Sequence, residues 1–434
     1  MLNVVPNLIV LCRIASVVNW LWSKVGLSRR EKLSKMDSVV RAVIEAIHSS
    51  PTRAVLCLSG GASQALGWLL SVPRASSTVL EATFMYSRAS MVQLLGKVPT
   101  QSVCRETADE IALEAYNRAL ELSMPEGMQV AGIGFTGVLA SIPPKRGDHR
   151  CFVSARTQNG LWQYDLTLAK GHRDRYGEDY LTSCLLVKTL ANVCGTIDDI
   201  PLDLKEGIEK LRETKLVYSE EEQLQQLLSG KICMINFSDR VNSPTSGTRR
   251  VVLSGSFNPL HDGHVKLLDA ACRFNGHLCL KAKLVNLREG GLPCYELSAI
   301  NADKPPLGLT DIKERSNQFR SGNTLVVTNQ PYFFKKAELF PDSTFVVGAD
   351  TALRLLDPKY YGNSKVRMVE VMLGIRKLGC DFLVAGRKVD EAFKVLADVE
   401  VPTEVEGMFQ EIPLSLFQSD LSSTQLRAQA RQQG

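Results

Sequence analysis

The chain has 434 residues with 51 Lys and Arg against 46 Asp and Glu, a net charge of only +5, and at roughly 150 residues per domain it is long enough for two or three domains. Its 44% hydrophobic and 22% charged residues supply ordinary cores and exclude disorder, collagen-like repeats and low complexity as the dominant state. Five surplus positive charges are too dilute to argue for nucleic-acid binding, and eleven cysteines without a C-x-x-C spacing suit a reducing compartment rather than a disulfide framework or a zinc ribbon.

Residues 1–35 differ from the rest of the chain. The stretch is apolar through Trp22, broken by Pro6, Asn7, Arg13 and Asn19, and its first acid is Glu31. Those interruptions make a poor membrane helix, which needs about 20 clean apolar residues. Basic residues without acid fit an organellar transit segment. A membrane anchor and a dispensable extension ahead of Met36 are the readings left open beside it.

From Asp37 the pattern becomes regular. Val39, Val40, Val43, Ile44 and Ile47 recur at helical spacing, and the apolar run 54–58 predicts a strand ending in the turn Ser59-Gly60-Gly61. Ile111, Ala115, Ala119 and Leu122 predict an amphipathic helix, with Thr107 and Glu110 reading as a capping box at its start. Residues 130–135 predict a strand running into Thr136-Gly137, and residues 181–193 a helix. Alternating strands and helices predict an α/β domain over residues 36–200. Residues 201–248, Glu/Gln-rich and closing on Asn242-Ser243-Pro244-Thr245-Ser246-Gly247, predict a linker. Beyond it, strands are expected at 250–253, 345–347 and, less regularly, 413–417, with a helix over about 262–274. Repeated strand-to-helix junctions predict an open, mainly parallel sheet with ligands at the strand C-terminal ends.

The densest signal is Gly255-Ser256-Phe257-Asn258-Pro259-Leu260-His261-Asp262-Gly263-His264. Two of the six histidines stand three apart at a helix start, a spacing that places them on one side. A glycine turn and helix N-terminal amides together suit a phosphate, and imidazoles beside it suit charge developing on a transferring nucleotidyl group. Near the C-terminus, Leu421-Ser422-Ser423-Thr424-Gln425-Leu426-Arg427 offers hydroxyls for phosphate oxygens and a guanidinium able to grip them bidentately.

These two segments resemble the H-x-G-H nucleotidylyltransferases, which carry G-x-F-[DN]-P-x-H-x-G-H first and I-S-S-T-x-x-R late. Within that family the look is to nicotinamide-nucleotide adenylyltransferase. Gly348-Ala349-Asp350 resembles its G-x-D element, residues 383–387 its late strand ending in arginine (Arg387), and Lys304, Leu307 and Arg315 its middle segment. The resemblance implies a Rossmann-like domain over residues 249–434. His261, His264 and Arg427 would be catalytic, and Gly255, Ser256, Phe257, Gly263, Gly348, Asp350, Arg387, Ser422, Ser423 and Thr424 would bind nucleotide. It implies ATP and a mononucleotide such as nicotinamide mononucleotide as substrates, Mg2+ arriving with ATP, and no protein-held metal. The sequence departs where the family places a Trp after G-x-D, since Leu353-Arg354-Leu355-Leu356 stands here. Tyr360 and Phe333 are the aromatic substitutes at hand.

The first α/β domain resembles the competence-damage-inducible, nicotinamide-nucleotide amidase domain. The residues that carry this are Cys57-Leu58-Ser59-Gly60-Gly61, then residues 86–91 starting at Tyr86, then Gly134-Phe135-Thr136-Gly137. The alignment puts Cys57 at the nucleophile and Met91 at the general base. Cysteine can attack, but methionine cannot accept a proton. A second, weaker site at Cys57, Ser59 and Tyr86 is thus expected on a degenerate domain. Other phosphate acceptors, amide hydrolysis in the first domain, and a silent nucleotide-binding scaffold are the alternative functions. The expected setting is the cytoplasm, or an organelle if residues 1–35 target one. No nucleic acid and no stable membrane insertion are expected, and homo-oligomerisation is left open.

Overall fold

The computed structural model describes residues 36–123, 129–237, 249–281, 291–303, 305–319, 324–389 and 392–417. The extension 1–35, Lys304, and the late segment with Ser422, Ser423, Thr424 and Arg427 lie outside the described residues. Among the described residues no helix is long and apolar enough to cross a membrane.

The first helix, α1 (Ser38–Ser49), is capped by Asp37, whose carboxylate accepts the Val39 N–H at 2.8 Å. It buries Val40, Val43, Ile44 and Ile47, the stripe expected from the sequence. Strand β1 (Arg53–Ser59) comes next and lies in a six-stranded sheet of order β2-β1-β3-β4-β5-β6. Strands β2 (Val79–Phe84) and β3 (Val130–Val138) run parallel to it. Strands β4 (His149–Thr157), β5 (Gly160–Leu168) and β6 (Lys210–Val217) continue the sheet antiparallel. Helices α2 (Ser63–Ser71), α3 (Arg88–Leu95), α4 (Arg105–Ser123) and α5 (Arg175–Cys194) complete the unit. Helix α4 packs along β1, β3 and β4, while α1 and α2 pack on α5. One local expectation fails. Helix α4 begins at Arg105, so Thr107 lies inside it and donates to the Gln101 carbonyl at 2.6 Å instead of forming a capping box with Glu110.

The stretch expected as a linker is built into both sheets. It supplies β6 to the first, then α6 (Glu220–Leu228) and β7 (Met234–Asn236), an antiparallel edge strand on the second. Helix α6 opens with a reciprocal cap: the Ser219 hydroxyl accepts the Glu222 N–H, and the Glu222 carboxylate accepts the Ser219 N–H at 2.7 Å. Residues 238–248 lie outside the described residues.

The second sheet has the order β15-β12-β11-β8-β9-β10-β7 and is parallel throughout except at β7. In chain order its parts are β8 (Arg250–Ser254), α7 (Asp262–Lys281), β9 (Leu292–Ser298), α8 (Leu309–Asn317), β10 (Leu325–Thr328), α9 (Phe333–Leu339), β11 (Ser343–Gly348) and α10 (Ala349–Leu355). Then come α11 (Lys365–Lys377), β12 (Asp381–Ala385), the hairpin of β13 (Arg387–Val389) and β14 (Ala392–Lys394), and β15 (Phe409–Glu411). The last strand precedes the expected position; residues 414–416 form a turn. Central strands are near-continuous apolar runs because both faces are covered: Val251, Val252, Phe345, Val346 and Phe382 are fully buried. The chain thus folds as α/β around two sheets. Strand β8 is the switch point, since the chain winds to β9 and β10 on one side and to β11, β12 and β15 on the other. The crevice at its carboxyl end is where such sheets bind ligands.

Candidate functional site

That crevice is an open cleft of about 550 Å³. Its walls bring together Gly255, Ser256, His261, Gly263, His264, Gly348, Asp350 and Arg387, residues the sequence supplies from positions up to 132 apart. The turn after β8 is tightly made: a Cβ on Gly255 would stand 2.7 Å from the Phe257 ring, so glycine is required there. At Gly348 a Cβ would fall 2.6 Å from the Asp350 carboxylate, so a side chain there would have to displace Asp350.

Phe257 plays a different part from the one expected. Its φ of +41° is left-handed, a conformation costing a bulky residue about 1–3 kcal/mol that the surroundings must offset. Its ring is fully buried, edge-on to His264, Tyr295 and Phe319 at 5.2, 5.6 and 5.2 Å between centroids. The side chain is a core anchor beneath the turn, so any contact with nucleotide is left to its backbone. Arg315, on α8, braces the turn from outside by donating to the Ser256 carbonyl at 3.1 Å.

The two imidazoles stack, with centroids 3.8 Å apart and planes 29° apart. His264 Nδ1 accepts the His261 backbone N–H at 3.3 Å, so in the neutral ring the proton sits on Nε2. Burial, with His261 and Arg387 close by, pushes His264 down to about 4. His261 is lowered too, first by burial and then by Arg387. Both rings are therefore neutral donors near pH 7. In the same cleft Arg387 reaches Asp350 at 3.4 Å, Arg354 approaches Asp350 at 3.7 Å and Asp303 at 3.9 Å, and the Tyr360 hydroxyl donates to Asp303 at 2.7 Å.

Tyr360 and Phe333 both line the cleft. Phe333 packs edge-on against Phe345 and Phe382 at 5.4 and 5.7 Å, so it belongs to the wall. Sequence reasoning missed Glu296 and Lys336, a buried ion pair of 2.8 Å in the same cleft. Forty positions separate them, and no local pattern announces such a pair. Among the described residues no cluster of three or more His, Cys, Asp or Glu is arranged to hold a metal.

The weaker site in the first unit does not assemble. Cys57 is buried in an apolar core, and that burial, followed by Glu81 and Glu114, pushes its thiol up to about 12. Met91 is buried in the same core. Ser59 donates to the Met85 carbonyl at 2.9 Å, and Tyr86 is 80% exposed, stacked on Phe84. A thiol needs its anion to attack, and nothing here favours one.

No family model and no curated protein matches the chain. Among solved structures it is similar to the competence/damage-inducible protein CihA from Agrobacterium tumefaciens, at 18% identity, TM-score 0.30, with 37% of this chain and 98% of that one covered. It is also similar to a competence or damage-inducible protein from Enterobacter asburiae, at 11% identity, TM-score 0.26, covering 36% and 94%. A third is a competence-damaged protein superfamily member from Escherichia coli, at 12% identity, TM-score 0.25, covering 38% and 94%. Likeness this slight says nothing of activity.

Proposed function

We propose that the chain is a nucleotidylyltransferase that takes ATP and transfers its adenylyl group to a phosphate acceptor, with nicotinamide mononucleotide as the favoured acceptor, yielding NAD and pyrophosphate. The observation that carries this reading is the stacked pair His261 and His264 beside the Gly255 turn at the switch point of a parallel sheet. Neutral imidazole N–H donors, Nε2–H in the case of His264, complement the negative charge that accumulates on the α-phosphoryl oxygens in the transition state. The α7 N-terminus and the Gly255 turn add backbone donors to the same region.

An oxygen of the acceptor phosphate attacks the α-phosphorus in line as the bond to the bridging oxygen of the β-phosphate breaks. Pyrophosphate leaves with that bond's electron pair. No covalent enzyme intermediate is required, so catalysis is positioning and electrostatics. Mg2+ enters as part of the nucleotide substrate and screens its charge. Asp350 and Arg387 shape the nucleotide end, and Ser422, Ser423, Thr424 and Arg427 are assigned to the β and γ phosphates on the sequence resemblance.

Amide hydrolysis in the first unit is the alternative. The buried, high-pKa Cys57 and the apolar Met91 favour a scaffold role for it. The reading is tested by following pyrophosphate from ATP with nicotinamide mononucleotide, nicotinate mononucleotide, phosphopantetheine and sugar phosphates in turn. Release with the first is expected. Ammonia from nicotinamide mononucleotide without pyrophosphate would reverse the assignment.

A further inference from the structure

The cleft is lined by residues that follow β8, β11 and β12, among them His261, His264, Asp350 and Arg387. Lys336, on α9, also lines it. Its side chain is only 6% exposed, its ammonium lies 2.8 Å from Glu296 Oε2, and it sits 4.9 Å from the centroid of the Phe333 ring. Glu296 is wholly buried, and its other oxygen accepts the Thr328 hydroxyl at 2.6 Å.

An ion pair buried this deeply is weak evidence for stability, because desolvating both charges offsets most of their attraction, and well-packed apolar residues commonly do as well. Its place suggests another use. Glu296 is paired in register with Ser254, and its carbonyl accepts the Gly255 N–H at 3.0 Å. The pair therefore adjoins the turn that faces the reacting phosphate. Both residues line the cleft. Among the described residues Glu296 is the hydrogen-bonding partner of the ammonium, which leaves further donors for a ligand.

Resting on the nucleotidyl-transfer reading, we propose that Lys336, held in place by Glu296, binds the phosphate of the acceptor and sets it against the α-phosphorus of ATP. The acceptor is accordingly a phosphomonoester, and its dephosphorylated counterpart is excluded by the loss of that contact. Glu296 is a positioning residue: its carboxylate compensates the buried ammonium and fixes where it points.

The test uses the full chain and four measurements: ATP binding by calorimetry, nicotinamide mononucleotide binding, pyrophosphate release, and Tm. Lys336→Met keeps the stem and removes the charge. It should raise the KM for nicotinamide mononucleotide by tenfold or more while the KM for ATP stays within about twofold. The double variant Glu296→Gln, Lys336→Met removes both charges, so it should recover Tm relative to the single variant yet keep the acceptor defect. An unchanged acceptor KM in the folded double variant overturns the proposal and leaves the pair purely structural. If the wild-type chain binds ATP but no phosphomonoester, the acceptor proposal fails while nucleotide binding stands. If it binds no ATP, the reading beneath it fails as well.

Discussion

His264 meets two opposed demands. In the proposed transfer it approaches phosphate, yet burial, with His261 and Arg387 close by, holds its pKa near 4 against an ordinary 6.5. The folded state thus binds fewer protons than the unfolded state between those values. The stability tied to this group is fully present above 6.5 and is lost as pH falls toward 4. A pH series of thermal melts should show the wild type losing Tm faster than His264→Asn across that window; parallel curves would mean the ring titrates normally. Arg427 lies outside the described residues, and the sequence resemblance assigns it to the triphosphate. Arg427→Lys keeps charge and loses the planar fork, so the KM for ATP should rise severalfold. An unchanged value would mean that this arginine does not grip the triphosphate.

At the scale of elements, β7 and α6 decide where the second unit begins. Strand β7 pairs with β10, and Leu224, Leu227, Met234 and Ile235 are buried in its core. Asn329 on the loop after β10 donates to the Ile232 carbonyl at 3.0 Å. A fragment starting at residue 247 loses all of this and bares the β10 edge, an aggregation-prone surface. One starting at residue 219 keeps the capped helix and the edge strand. The longer fragment should melt several degrees higher and stay soluble; equal behaviour would make β7 dispensable. The central strands were legible because a strand buried on both faces reads as an unbroken apolar run, as in residues 250–253 and 345–347. Strand β7 was not, because three residues carry no period. Strand β6 was not either, because its charged residues, including Lys210, Arg212 and Lys215, face solvent and leave no apolar alternation. The histidine pair was legible because its spacing is local. The Glu296–Lys336 pair was not, because only the tertiary fold brings α9 to β9.

In the whole molecule one of the two apolar clusters among the described residues spans both units. Cys57, Met85, Met91, Ile111 and Tyr116 of the first unit are continuous with the buried residues of the second sheet, and α4 touches α9, the wall that carries Lys336. Asn117 donates to the Lys231 carbonyl at 2.9 Å, and Gln158 exchanges two hydrogen bonds of 3.1 Å with the backbone of Asn236. The positions that the amidase resemblance assigns to chemistry are thus used for packing. Met91→Lys, introduced to supply the absent base, should therefore bury an uncompensated charge and cost about 3–5 kcal/mol, read as a sharp drop in Tm without ammonia release. A stable variant that hydrolyses nicotinamide mononucleotide would contradict this.

The central claim is that the two stacked imidazoles stabilise charge during adenylyl transfer. Pyrophosphate release from ATP and nicotinamide mononucleotide, compared between the full-length wild type and the His261→Ala and His264→Ala variants, tests it most directly. In each variant kcat should fall about 100-fold or more while ATP binding weakens far less. Wild-type turnover in both variants would contradict it.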